Sequence, residues 1–382
     1  MTITTNPVVT PVLPPTTGLG LPRQAYVSQE IFDLEIEKYF FTTWQYACHE
    51  SQVAAPGQFV KYRLGPAEIV IIRGRDGKLR ALHNTCRHRG AQIVAEESGT
   101  CKRSMTCTYH GWAYDFDGTL RGAPKMGSGF DPAQYPMKKA EVEVWNGVVF
   151  VHVGDGNPAP VAEALAGVEW KYADIAKSKV AKVVQYELNT NWKGSWENAL
   201  ECYHCAINHP DLARIFDVSA DGVEGEGFEG GQEYVFVENT LLPGSISVTP
   251  SGQIESKVVY QTKDTGVDRG FLQWHRAAFE MIANPEHVAL MTYTPLAPNR
   301  SIVTQTFLVP EAAEPGVDFD PETLFNMHIV TREEDNALCE KIYAGVKNLA
   351  YEPGPFNASL EQENFRFLAT YRSVMGDAII DA

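Results

Sequence analysis

Between residues 57 and 153, apolar positions come in short alternating or continuous runs broken by turn residues, a pattern of strands rather than helices. Phe59 to Arg63, Glu68 to Arg73 and Leu79 to Leu82 read as strands, the last two joined at Asp76-Gly77. Val142 to Trp145 and Val148 to Val153 flank Asn146-Gly147, a pair that tolerates the positive φ angles of a tight hairpin. A compact β domain is predicted, with Gly154 to Pro158 as its exit. Beyond it the pattern mixes periods. Strands are expected at 180–188, 234–237, 258–261, 288–294 and 302–309. Helices are expected from Trp192 to about Tyr203, from Phe271 to Ile282 closed by Asn284-Pro285, from Asp320-Pro321, and from Thr331, where Glu334 completes a capping-box pattern. Ala220 to Gly231, rich in Gly and Glu, reads as a mobile loop. The second region is therefore α+β.

Composition narrows the function classes. A chain of 382 residues is long enough for more than one core, and no run approaches the ~20 apolar residues of a membrane-spanning helix. The formal charge of -16 opposes generic binding to nucleic acid. Met1 to Pro22 has no basic residue, no sustained apolar run and five prolines, so it lacks the layout of a secretory leader and reads as a flexible arm of a cytoplasmic protein. Seven cysteines in such a chain point to metal ligation or reduced thiols rather than a disulfide framework.

Two Cys/His constellations follow. Cys86-Arg87-His88 and Cys107-Thr108-Tyr109-His110 each offer one thiol and one imidazole. Structural zinc normally draws a Cys pair and then a His pair, whereas mixed pairs on two loops suit a [2Fe-2S] cluster with two thiolates on one iron and two imidazoles on the other. Exchanging thiolates for neutral imidazoles lowers the cluster's negative charge and raises its potential, which equips it to accept and pass on single electrons.

The second constellation is Glu201-Cys202-Tyr203-His204-Cys205-Ala206-Ile207-Asn208-His209-Pro210. On a helix Glu201 and His204 share a face, while His209 would point about 140° away, so the helix must distort or end between the two histidines. Pro210 favours that by biasing His209 away from helical geometry. Two histidines and a distant carboxylate make a facial triad for Fe(II); zinc hydrolysis could use the same set. Glu333, Glu334 and Asp335 are adjacent candidates for the carboxylate. Asp335 falls on a stripe with Leu338, Cys339, Ile342 and Val346, whereas Glu333 falls with Asn336, Ala337 and Glu340, and a carboxylate on an apolar stripe needs a cation. Cys202, Cys205 and Cys339 read as small packing residues, because thiolates would break the triad, and Cys101 reads as a free thiol.

Cys86-Arg87-His88-Arg89-Gly90 and Cys107-Thr108-Tyr109-His110-Gly111-Trp112, followed by Tyr114, Asp117-Gly118 and Leu120, resemble the cluster loops of Rieske non-heme iron oxygenases; Thr108 stands where family members usually carry Pro. The resemblance runs from about Trp44 to Asp335, and the Glu-Cys-Tyr-His-Cys core is most similar to the subgroup acting on glycine betaine, stachydrine and carnitine. It implies an N-terminal helical part at 23–44, a Rieske domain at 45–156 with Cys86, His88, Cys107 and His110 on the cluster, and a helix-grip catalytic domain at 157–382 with His204, His209 and Asp335 on Fe(II). It also implies a homotrimer in which Glu201 bridges His204 to His110 of a neighbouring subunit.

Function is then expected to combine both sites. Electrons from NADH or NADPH arrive through a separate reductase, O2 is the co-substrate, and a C–H bond of a small cationic substrate is hydroxylated, with N-demethylation and formaldehyde release in the betaine case. Tyr203, Trp274, Tyr293 and Phe307 are candidates for an aromatic cage around the ammonium group. The alternatives are hydroxylation of an aromatic ring or acid, a pure electron carrier, a zinc hydrolase, and a helix-grip ligand-binding protein without redox chemistry.

Overall fold

The computed structural model describes residues 20–166, 168, 173–218, 234–237, 241–260 and 270–376. The chain divides into two compact units. One comprises residues 36–166 and 174–180, the other 1–35, 167–173 and 181–382.

The first unit is all-β. Its seven-stranded sheet runs Gln45–His49, Val148–His152, Lys139–Trp145, Leu79–His83, Ala67–Arg73, Gln58–Leu64 and Ser98–Thr100. A small sheet of Met105–Thr106, Ala113–Tyr114 and Leu120–Gly122 joins it. The 142–153 hairpin forms as expected, with Asn146 at φ 48° and Gly147 at φ 81°. A Cβ on Gly147 would lie 2.9 Å from His49 Nε2 and 3.0 Å from the Ala176 backbone, so both conformation and space exclude a side chain. One core, including Phe59, Ile72, Leu82, Met105, Trp112, Tyr114 and Phe116, packs beneath Cys86 and Cys107.

The second unit is built on a six-stranded sheet in the order Ser178–Leu188, Arg300–Pro310, Val288–Ala297, Phe279–Ala283, Gly270–Trp274 and Tyr234–Val237, the last five strands pairing antiparallel. Helices Trp192–Ala199 and Asn326–Val346 belong to the same unit. Fold class is α+β, with a Rieske-type β domain and a helix-grip-like catalytic domain.

Several elements depart from expectation. Residues 271–282 form a hairpin rather than a helix: Phe271 pairs with Ile282 and Trp274 with Phe279, around Ala278 at φ 42°. Nearly all of this segment is buried, which hides the alternation of a strand, and cross-strand pairing overrides the helix propensity of Ala, Glu and Met. Residues 258–260 are not a strand, since Lys257 N–H and Tyr260 N–H donate to two separate segments, at Asp318 and Pro285. Asp320 caps a short turn as predicted, accepting from Glu322 N–H at 3.0 Å. The following helix begins at Asn326, so Thr331 lies inside it, where the Glu334 N–H is already committed to an i−4 carbonyl. The expected 192–203 helix stops at Ala199. Of the supposed arm, residues 20–22 are packed, with Leu21 fully buried and Gly20 N–H bonded to the Gly354 carbonyl. Residues 1–19 and the 220–231 loop lie outside the described residues.

Candidate metal centres and the family

The two cluster loops are built alike. Cys86 N–H donates to the Ala91 carbonyl and Cys107 N–H to the Trp112 carbonyl, each five residues on; Gly90 and Gly111 N–H groups donate back to the Cys86 and Cys107 carbonyls. Both glycines sit at φ near 74°, the left-handed angle that closes each turn. Cys86 and Cys107 are buried, whereas His88 and His110 are exposed, with their Nδ1 atoms 3.2 Å apart. Two thiols and two facing Nδ1 atoms on matched loops fit a cluster with sulfur ligands inside and imidazoles at the surface. His88 stacks on Trp112 at 5.0 Å, which fixes its plane, and the Tyr114 hydroxyl lies 3.5 Å from Cys86 Sγ.

In the second unit, three donors meet at one point. Asp335 Oδ1 lies 3.0 Å from His204 Nε2 and 2.9 Å from His209 Nε2. Such convergence in a buried place, from positions more than 120 residues apart, fits a divalent cation. The outer nitrogens are occupied as metal-bound histidines require: His204 Nδ1 contacts Glu201 Oε1 at 2.6 Å, and His209 Nδ1 contacts Glu334 Oε2 at 2.7 Å. Without a metal, burial lowers the basicity of His204, but Asp335 and Glu201 outweigh it and push its pKa up to about 9. Asp335 is buried, yet the Arg332 charge and the two imidazoles hold its carboxyl well below the usual range.

Local folding explains the geometry. After Ala199 the chain turns, and the Glu201 carboxylate accepts the Tyr203 and His204 N–H groups, so it caps the following turn while holding His204. Glu201 and His204 therefore meet through a turn rather than along a helix. The short helix Cys205–Asn208 ends at His209, whose φ of -123° and ψ of 70° swing the ring back toward His204, as Pro210 suggested. Cys202 and Cys205, expected as free packing residues, are instead joined in a disulfide, because this turn brings their Cα atoms to 4.9 Å. Cys339 is a free, buried thiol facing the Gly194 carbonyl.

Comparison with known proteins decides the family. A family model described as the ring hydroxylating alpha subunit (catalytic domain) matches residues 165–377, and one described as the Rieske [2Fe-2S] domain matches 43–145. The chain belongs to the ring-hydroxylating alpha-subunit family of Rieske oxygenases. It is 29% identical over 388 residues to the glycine betaine monooxygenase oxygenase subunit of Pseudomonas aeruginosa, covering 94% of this chain and 89% of that protein. The carnitine monooxygenase oxygenase subunit of Escherichia coli K12 is 33% identical over 312 residues, 71% of this chain and 82% of that protein. Among solved structures, the quaternary ammonium Rieske monooxygenase CntA with L-carnitine superposes with a TM-score of 0.74 at 24% identity, covering 92% of this chain and 95% of the other. Naphthalene 1,2-dioxygenase from Rhodococcus sp. bound to indole gives 0.73 at 17%, covering 93% and 94%.

As a Rieske oxygenase alpha subunit, the protein incorporates O2, carries a Rieske cluster and a mononuclear iron, and is an oxygenase component that works with a separate reductase. Among the described residues, no helix of this oxygenase is long and apolar enough to cross a membrane.

The expected aromatic cage does not assemble in the oxygenase. Tyr203 is 57% exposed. Trp274 pairs in register with Phe279, and Phe279 with Thr292, so Tyr293, one residue on, projects from the opposite face of the sheet. Phe307 stacks on Phe325 at 4.6 Å in an apolar cluster. The stripe on the long helix also shifts: Ile342 is exposed and Tyr343 takes its place. Four residues near His204, His209 and Asp335 take roles not assigned from the sequence, and one of them, Glu334, reads there only as a possible ligand and cap. Asn198 Nδ2 lies 3.2 Å from Asp335 Oδ1 and from His204 Nε2, Glu334 holds His209, Arg332 holds the outer oxygen of Asp335, and Glu280 receives the Tyr293 hydroxyl. Arg332 and Glu334 left signals in the sequence, the one a charge three residues before Asp335 and the other its acidic neighbour.

Proposed function

We propose that this oxygenase N-demethylates a quaternary ammonium substrate of betaine type. The observation that carries the iron-site assignment is the meeting of His204 Nε2 and His209 Nε2 on Asp335 Oδ1. The substrate class is supported by 29% identity across 94% of the chain to a glycine betaine monooxygenase subunit and 33% identity to a carnitine monooxygenase subunit.

On this reading the β domain, about residues 45–156, holds the cluster through Cys86, His88, Cys107 and His110, and the region from about 157 holds iron through His204, His209 and Asp335. When bound, the cluster supplies single electrons and the iron activates O2 toward a C–H bond. The protein's own residues set the geometry. Glu201 fixes the His204 ring through Nδ1 and offers its carboxylate as the link to His110 of a neighbouring subunit in a trimer. Glu334 fixes His209. One N-methyl group is hydroxylated: O2, two electrons and two protons give the N-hydroxymethyl product and water. The C–N bond then breaks, releasing formaldehyde, the tertiary amine and a proton.

The test begins with iron and acid-labile sulfide per chain, expected at about three and two for one cluster plus one mononuclear site. The reduced protein should give a Rieske EPR signal that Cys86→Ala abolishes and Asp335→Ala keeps. Betaines are then incubated with a reductase and assayed for formaldehyde. Glu201→Gln should retain metal and cluster but lose coupled turnover. Zinc in place of iron, or missing sulfide, would refute the site assignment. Formaldehyde from no ammonium compound, with hydroxylation of an aromatic acid instead, would refute the substrate class.

A further inference from the structure

The two oxygens of Asp335 face different groups. Oδ1 lies 3.0 Å from His204 Nε2 and 2.9 Å from His209 Nε2, and it also accepts from Asn198 Nδ2 at 3.2 Å. Oδ2 turns the other way, to Arg332 Nη2 at 3.2 Å, three residues earlier on the helix Asn326–Val346. Both side chains are only 6% exposed, so the pair forms away from water, where a charge-assisted hydrogen bond is strong and separating its partners is costly.

Arg332 is itself held in place. Its guanidinium carbon sits 5.3 Å over the Tyr293 ring, and the Tyr293 hydroxyl donates to Glu280 Oε1 at 2.5 Å. Tyr293 and Glu280 are buried and stand on the paired strands Val288–Ala297 and Phe279–Ala283. The sheet thus fixes the ring, ring and helix fix the guanidinium, and the guanidinium fixes Oδ2. Each of the three candidate ligands then has its own support on the side away from the metal position: Glu201 on His204 Nδ1, Glu334 on His209 Nδ1 and Arg332 on Asp335 Oδ2.

A carboxylate can meet a metal through one oxygen or through both. Turning Asp335 so that it offers both would give up the buried pair with Arg332. We propose that Arg332 is the positioning residue that keeps Asp335 on the metal through Oδ1 alone, so that one more coordination position stays open to small ligands. This rests on the assignment of His204, His209 and Asp335 to iron above, and adds what keeps that site open.

The experiment uses the full chain with its cluster intact and cobalt(II) in place of the mononuclear iron. Absorption at the cobalt K-edge sees cobalt alone, and its pre-edge feature weakens as the coordination number rises. Arg332→Gln should weaken that feature, because Oδ2 is free to join Oδ1. It should also hold cobalt at least as tightly as wild type, since a nearby positive charge is gone and a donor is gained; a merely structural Arg332 predicts weaker binding. Arg332→Lys, which keeps a cation beside Oδ2, should restore the wild-type edge. With iron in the site, the nitric oxide adduct should need about tenfold more nitric oxide to develop its EPR signal in Arg332→Gln than in wild type. The reduced-cluster EPR signal checks that each variant is folded. Should the Gln variant not fold, a crystal structure of the cobalt-loaded wild type decides alone, with Oδ1 on cobalt and Oδ2 on Arg332 expected. Both oxygens on cobalt in wild type, an unchanged edge or weaker cobalt binding in Arg332→Gln, or an Arg332→Lys edge that matches Arg332→Gln would overturn the proposal. Cobalt bound as tightly by Asp335→Asn as by wild type would instead refute Asp335 as a ligand, and with it the site assignment itself.

Discussion

Glu333, Glu334 and Asp335 are adjacent carboxylates whose side chains leave the helix about 100° apart, and each has a different neighbour. Glu333 is exposed and accepts a 3.3 Å hydrogen bond from the Tyr186 hydroxyl. Glu334 contacts His209 Nδ1 at 2.7 Å, and Asp335 contacts both Nε2 atoms. Neutralising them one at a time should therefore give graded losses of iron affinity. Glu333→Gln removes one exposed bond to a group that does not face the metal, so affinity should change less than about twofold. Glu334→Gln removes the charge that fixes the His209 ring and raises its basicity, a loss of about 10–100-fold, or about 1.4–2.7 kcal/mol. Asp335→Asn removes the anionic donor and leaves Arg332 beside a neutral amide, so the site should fail to retain iron during dialysis. The assay is bound Fe(II) against graded free Fe(II) under anaerobic conditions, with the cluster EPR signal of the same sample as internal control. Equal affinities for Glu333→Gln and Glu334→Gln would refute the orienting role of Glu334. Equal losses in Glu334→Gln and Asp335→Asn would refute the division between ligand and support.

Tyr114→Phe removes the hydroxyl beside Cys86 Sγ and should lower the cluster's midpoint potential without displacing it, as read by a redox titration followed by EPR; an unchanged potential would contradict that contact. Glu35 is fully buried and takes hydrogen bonds from Trp192 Nε1, Tyr371 Oη and Lys193 Nζ, so Glu35→Ala strands a buried ammonium and should cost about 3–5 kcal/mol. A fall in melting temperature of roughly 6–20 °C is expected in calorimetry, and a change below about 2 °C would disprove it. Burial pushes the Glu197 carboxyl up to about 7, against the hydrogen bonds it takes from Tyr26. Its folded-state pKa lies above the ordinary 4.5, so its contribution is full below 4.5 and is lost as pH rises through 7, by up to about 3 kcal/mol. Glu197→Gln should flatten the melting-temperature profile between pH 5 and 8, and an unaltered slope would exclude this group as its source.

The turns that carry the candidate ligands were legible in the sequence wherever they depended on local spacing. Cys86-x-His88 and Cys107-x-x-His110 specify matched turns because the donor types and the following glycines lie within five residues, and Asn146-Gly147 specifies its hairpin for the same reason. Pro210 correctly signalled the break that swings His209 back, since a proline restricts its neighbour whatever the tertiary context. The segment 271–282 went the other way. Burial on both faces erases the period that separates strand from helix, and only pairing with Val288–Ala297 and Tyr234–Val237 settles it. The cage failed for a related reason: which aromatic residues share a face follows from register, and register is fixed between strands, not within one. Glu334, Arg332 and Glu280 acquire their roles from partners up to 125 residues away, so their distances to His209, Asp335 and Tyr293 exist only in the folded chain. The sequence by itself determined which donor types this protein offers, because donor identity is local chemistry. Tertiary structure decided what surrounds them, because burial and charge pairing arise only when distant segments pack together.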